Sequence, residues 1–106
     1  MNQDSLFVTM ISHNWIVGTI EDMSFEAKVY DVPSLFGIDY GRVVKLTVYA
    51  KRLDQEIIVY ERGWEKYPTK NHEDILDAIL KYCQNLPPAD KWQLENGTII
   101  SKEGLQ

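Results

Sequence analysis

Cysteine is almost missing from this chain. Cys83 alone cannot close an intramolecular disulfide, so the fold has to be held by packing, and such a chain suits a reducing compartment. Basic charge is also short: 11 Lys and Arg stand against 16 Asp and Glu, a formal charge of −5. That balance works against a general DNA or membrane-surface binder, which needs a positive field to draw in phosphates. Long apolar runs are absent. No stretch approaches the roughly 20 residues that span a bilayer as a helix, and the run Leu6 to Ile11 has no basic segment ahead of it, as a secretory signal would. The two histidines, His13 and His72, lie far apart, and with one cysteine they make no zinc-like spacing. Gly37-x-x-x-Gly41 lacks the Lys-Ser/Thr that would follow in a phosphate loop. These shortages leave the expectation of a cytoplasmic protein without metal or cofactor.

What is present suits one core. A chain of 106 residues, 44% hydrophobic and 11% aromatic, is long enough for a single domain over 1–106 and too short for two. Strand-forming residues fill 5–11 and 15–20, with a turn at Ser12-His13-Asn14 and with Gly18 read as a bulge or a close backbone approach. Residues 23–30 alternate cleanly, which puts Met23, Phe25, Ala27 and Val29 on the core face. In 42–51 the parity reverses, and Val44, Leu46, Val48 and Ala50 are expected inside. Residues 56–62 are apolar on both faces at Ile57-Ile58-Val59-Tyr60. The reading with Ile57 and Val59 inward sends Ile58, Tyr60 and Arg62 outward.

Helical spacing follows. Ile75, Ile79, Tyr82, Cys83 and Leu86, widened by Leu76 and Leu80, predict a helix over about 71–86 with Asn71 as N-cap and Pro87-Pro88 as its stop. Asn96-Gly97, flanked by strand formers, predicts a hairpin over about 91–101. The expected class is α+β: an antiparallel sheet of four or five strands over about 5–62, one amphipathic helix packed on one face, and a C-terminal β-hairpin.

Five short stretches carry a resemblance: Trp15-x-x-Gly18, Phe25-x-Ala27-Lys28-Val29, Pro33-Ser34-x-Phe36-Gly37-Ile38, Gly41-Arg42-Val43-x-Lys45-Leu46 and Tyr60-x-Arg62-Gly63-Trp64. In this order they resemble a family of small, functionally uncharacterised proteins of Gram-positive bacteria and their phages or mobile elements. The resemblance implies origin and fold, and carries over no catalytic residue.

Three constellations are candidate sites. The first is the long loop Asp31 to Arg42 with its apolar Leu35, Phe36, Ile38 and Tyr40. Either Phe36 and Ile38 plug one end of the core, or Leu35, Phe36 and Tyr40 contact a partner. The second is Arg62-Gly63-Trp64, read as an exposed recognition tip or as Trp64 capping the core with Arg62 paired to Glu26 or Glu56. The third is an outer sheet face of Lys28, Tyr30, Lys45, Tyr49, Lys51, Tyr60 and Arg62, where bases interleaved with rings could track single-stranded nucleic acid.

Catalysis finds little to work with. Cys83 lies on the apolar helix face, and Glu73, Asp74 and Asp77 suit a solvated helix start. No nucleophile, base and oxyanion stabiliser can be assembled. The expected function is therefore that of a protein-interaction module, or of a phage or mobile-element accessory protein, that engages a host or phage protein, as monomer or homodimer and without enzymatic activity. A narrower version has Glu21, Asp22, Asp31 and Asp39 imitate nucleic acid on a host site. The alternative is direct binding of single-stranded nucleic acid.

Overall fold

The computed structural model describes residues 6–50 and 54–102. The strands are β1 (Leu6–Ser12), β2 (Trp15–Ile20), β3 (Met23–Val29), β4 (Val43–Ala50), β5 (Gln55–Glu61) and β6 (Trp64–Lys66), followed by helix α1 (Glu73–Gln84) and the pair β7 (Trp92–Glu95) and β8 (Thr98–Ser101). The first six form one antiparallel sheet in chain order, and β7–β8 form a second, two-stranded one.

The sheet thus has six strands rather than four or five. The extra one is β6, because the chain reverses at Arg62-Gly63 and comes back beside β5, with Tyr60 opposite Trp64. Arg62 adopts φ 59 there, a left-handed conformation uncommon outside glycine, so its residue type gives no sign of the reversal. The turn between β1 and β2 uses the same device. His13 and Asn14 have φ 50 and 71, the positive pair that a tight hairpin with the right-handed strand twist requires.

Alternation in β3 and β4 holds: Met23, Phe25, Ala27 and Val29 are buried, as are Val44, Leu46 and Val48. In β5 the parity is the opposite of the expected one. Ile58 stands opposite Val48 and Tyr60 opposite Leu46, and directly paired residues share a face. Ile58 and Tyr60 are therefore in the core, and Val59 faces out beside Thr47. A register shift between Val48 and Tyr49 takes up one residue, Ile57, and four consecutive apolar residues gave β5 no pattern from which to read its own parity.

Helix α1 buries Ile75, Ala78, Ile79 and Cys83 in the same cluster as the inner sheet face. Fully removing an Ile side chain such as that of Ile75 or Ile79 from water stabilises by roughly 1.5–3 kcal/mol. The helix starts two residues later than its apolar spacing suggests, after a 3-10 turn at Lys70–His72. Its N-cap is His72, not Asn71, and no side chain caps it. The β7–β8 hairpin closes over the edge of β1: Gly97, at φ 80, lies against the Phe7 ring, where a Cβ would collide with it, and its carbonyl accepts the Val8 N–H at 2.8 Å. Gly18 is the close approach expected of it, since a Cβ would stand 2.5 Å from the Phe7 carbonyl oxygen.

A candidate protein-binding surface

The connection between β3 and β4 is fixed by its own backbone. Tyr30 N–H donates to Arg42 O at 2.8 Å and Ser34 N–H to Gly41 O at 2.9 Å. Inside that clasp Gly37 N–H reaches Ser34 O, and Gly41 N–H reaches Ile38 O. Ser34 Oγ accepts from Phe36 N–H at 3.1 Å. Ile38 is the anchor, only 4% exposed and part of the core cluster.

Its neighbours point the other way. Leu35 is 83% exposed, Tyr40 73% and Phe36 58%, so of the two expected core plugs Ile38 fills that role and Phe36 does not. Phe36 is tied down through its carbonyl, which accepts the Tyr60 hydroxyl at 2.8 Å. Burial raises the pKa of that hydroxyl above its ordinary value, and the nearby Asp39 carboxylate and Tyr40 add to the shift. From Tyr60 the aromatic contacts continue. Its ring meets Trp64 edge-on at 5.0 Å, and Trp64 stacks on Tyr67 at 4.8 Å.

Tyr67 is 69% exposed. It belongs to none of the three constellations expected from the sequence, although an aromatic three residues after Trp64 and just before Pro68 is a usable signal. The Phe36 carbonyl, Tyr60, Trp64 and Tyr67 are thus linked in one continuous run of contacts. Trp64 is half-buried against the core. Arg62 is exposed in its turn and makes no ion pair with Glu26 or Glu56 among the described residues.

Arg42 closes the loop. Its guanidinium donates to Tyr30 O at 2.8 Å, Leu86 O at 2.7 Å, Gln84 O at 3.2 Å and Pro87 O at 3.4 Å. A cation there answers the carbonyls and the negative end of α1. Asp31 takes the Ala89 N–H at 2.8 Å from the same segment. Between loop and helix lies a cleft of about 290 Å3, lined by Asp39, Arg42, Asp77, Leu80 and Lys81 among others.

The outer sheet face differs from the expected basic and aromatic array. Tyr60 is inside, Arg62 sits in a turn, Tyr30 lies past the end of β3, and Lys51 falls outside the described residues. Lys28, Lys45 and Tyr49 remain on β3 and β4. Lys45 pairs with Glu61 at 3.3 Å, and Tyr49 donates its hydroxyl to Glu26 at 3.2 Å. Burial, with Glu26 beside it, raises the Tyr49 pKa.

Cys83 is fully buried, and burial pushes its thiol up to about 12, against a lowering influence of Arg42. At neutral pH it is a small apolar side chain. No group of His, Cys, Asp or Glu among the described residues could hold a metal ion, and no helix among them is long and apolar enough to cross a membrane.

No curated protein and no solved structure matches the chain. The sequence pattern of a family described as a domain of unknown function, DUF7678, matches residues 14–84. That segment runs from the β1–β2 turn to the last residue of α1 and includes the clasped loop, Arg42 and the Tyr60–Trp64–Tyr67 contacts. By that match, which spans well over half of the 106 residues, the chain belongs to the DUF7678 family.

Proposed function

We propose that this protein is a small binding protein, not an enzyme, that docks onto another protein through the 31–42 loop. One observation carries the reading: Leu35, Phe36 and Tyr40 are exposed on a backbone already held by hydrogen bonds. Apolar side chains on a pre-ordered segment lose little freedom on binding, so more of the burial energy appears as affinity. Trp64 and Tyr67 extend the surface, and large aromatics are frequent at interface hot spots. The resemblance to phage and mobile-element proteins supports the narrower version, an accessory protein that engages a host protein in the cytoplasm.

Single-stranded nucleic acid on the outer sheet face has less support. Its basic and aromatic residues are fewer than the sequence suggested, and two of those left are engaged by Glu61 and Glu26.

The test is a nuclease-treated pull-down from host lysate with the natural chain and with Leu35→Ala, Phe36→Ala and Tyr40→Ala combined. The expected result is a protein partner retained by the natural chain and lost by the variant at unchanged stability. A partner held equally by both would remove the loop from the reading, and recovery that disappears with nuclease would favour nucleic acid.

A further inference from the structure

We infer that two copies of this chain stack face to face through the outer surface of the six-stranded sheet, with Lys28 of each copy against Glu26 of the other. This surface is separate from the 31–42 loop, and the inference does not depend on the loop reading.

Helix α1 covers one face of the sheet; the register defines what the other presents. One row across the strands reads Trp15, Lys28, Lys45, Glu61, and the next reads Met10, Val17, Glu26, Thr47, Val59, Lys66. A third reads Phe7, Thr19, Ser24, Tyr49, Glu56, with the half-exposed Phe7 ring lying against Gly97 of the hairpin. The apolar members gather at the β1–β2 side. Met10 is 55% exposed, and with Trp15, Val17 and Glu26 it lines a shallow hollow of about 410 Å3.

The charges on this face do not form a field of one sign. Lys28, Lys45 and Lys66 are matched by Glu26, Glu56 and Glu61. Their placement leaves one mismatch. Lys28 is directly opposite Lys45, and like charges in that position destabilise a sheet. Lys45 has Glu61, while Lys28 makes no ion pair among the described residues and lies 6.0 Å over the Trp15 ring.

A second copy supplies the missing partner. A two-fold axis between the faces, parallel to the rows and passing between the first and second, sets Lys28 over Glu26, Trp15 over Val17 and Lys45 over Thr47. Each contact occurs twice, as an isologous interface requires. Indole over the Met10–Val17 hollow places apolar groups together, and the opposed charges neutralise pairwise.

The size is enough for a specific but modest dimer. Six strands about 4.8 Å apart and some six residues long give a face of roughly 24 Å by 20 Å. Stacking two such faces hides on the order of 1,000 Å2 in total, near the lower bound for a specific interface. An interface of that size is expected to be reversible and to separate on dilution.

Sedimentation velocity over a concentration series tests this with the natural chain, Lys28→Glu, Glu26→Lys and the double exchange. Each single change should shift the equilibrium at least about tenfold towards monomer, and the double exchange should restore it, because the reciprocal pair reforms with its signs reversed. A natural chain that stays monomeric at every concentration, singles without effect, or a double exchange that fails to restore association would each overturn the inference. Radical footprinting needs no variant. Oxidation of Met10 and Trp15 should fall as concentration rises, and labelling that does not change, or that falls only on adding oligothymidine, would overturn it as well.

Discussion

Arg42 Nη1 donates to the Leu86 carbonyl at 2.7 Å across 44 residues of chain. The same side chain holds Tyr30, Gln84 and Pro87 carbonyls, so one guanidinium joins the end of the clasped loop, the end of β3 and the exit of α1. A planar cation with five donors can serve several carbonyls at once; an ammonium cannot hold the same geometry.

Arg42→Ala should therefore cost about 2–4 kcal/mol, since partly buried carbonyls lose a charged donor together. Arg42→Lys should recover less than half of it. Arg62→Ala, at an exposed side chain with no ion pair among the described residues, should stay within about 0.5 kcal/mol. Urea unfolding of the three variants measures the difference.

Phe36 and Ile38, two positions apart, should separate stability from binding. Ile38→Ala empties a core site and should cost about 2–5 kcal/mol. Phe36→Ala should cost under about 1 kcal/mol and, on the proposed function, weaken partner capture. Chemical denaturation read beside the pull-down distinguishes them.

Tyr60→Phe keeps the buried ring and removes the hydroxyl that holds the Phe36 carbonyl. The expected loss is about 0.5–1.5 kcal/mol. Hydrogen exchange should quicken at the amides of Gly37 and Tyr40, which close the loop's inner turns, more than in the β3–β4 ladder.

Alkaline pH should destabilise the fold. The Cys83 thiol is raised from 9.0 to about 12 by burial, and the hydroxyls of Tyr49, Tyr60 and Tyr82 are raised from 10.0, each first by burial. The folded state keeps protons that the unfolded chain releases, so stability falls as pH rises above about 9 towards 12. Unfolding midpoints between pH 7 and 11 should show this, and Cys83→Ser should not simply abolish it, because the tyrosines act in the same direction. Thiol reagents at pH 8 should leave Cys83 unmodified until denaturant is added.

Period and turn chemistry were local enough to be legible. The β3 and β4 faces and the α1 stripe follow from side chains that repeat every two or every 3.6 residues, and the β7–β8 hairpin from the turn residues Asn96-Gly97. β6 was missed because its turn places Arg62, not a glycine, in the left-handed region. β5 has the opposite parity to the expected one because its apolar run has no polar side to mark it. Each error moved a candidate residue: Tyr60 from the outer face to the core, and Trp64 into a strand beside it.

The amino-acid order by itself determined that this chain forms an antiparallel sheet with one covering helix, since the apolar periods of β3, β4 and α1 leave each of them one face to bury. Which of Phe36 and Ile38 enters the core, and which row carries Lys28 beside Lys45, were decided by tertiary structure alone. Loop closure and strand register join residues far apart in the chain, Arg42 to Leu86 and Tyr60 to Phe36, and contacts of that range leave no period in a sequence.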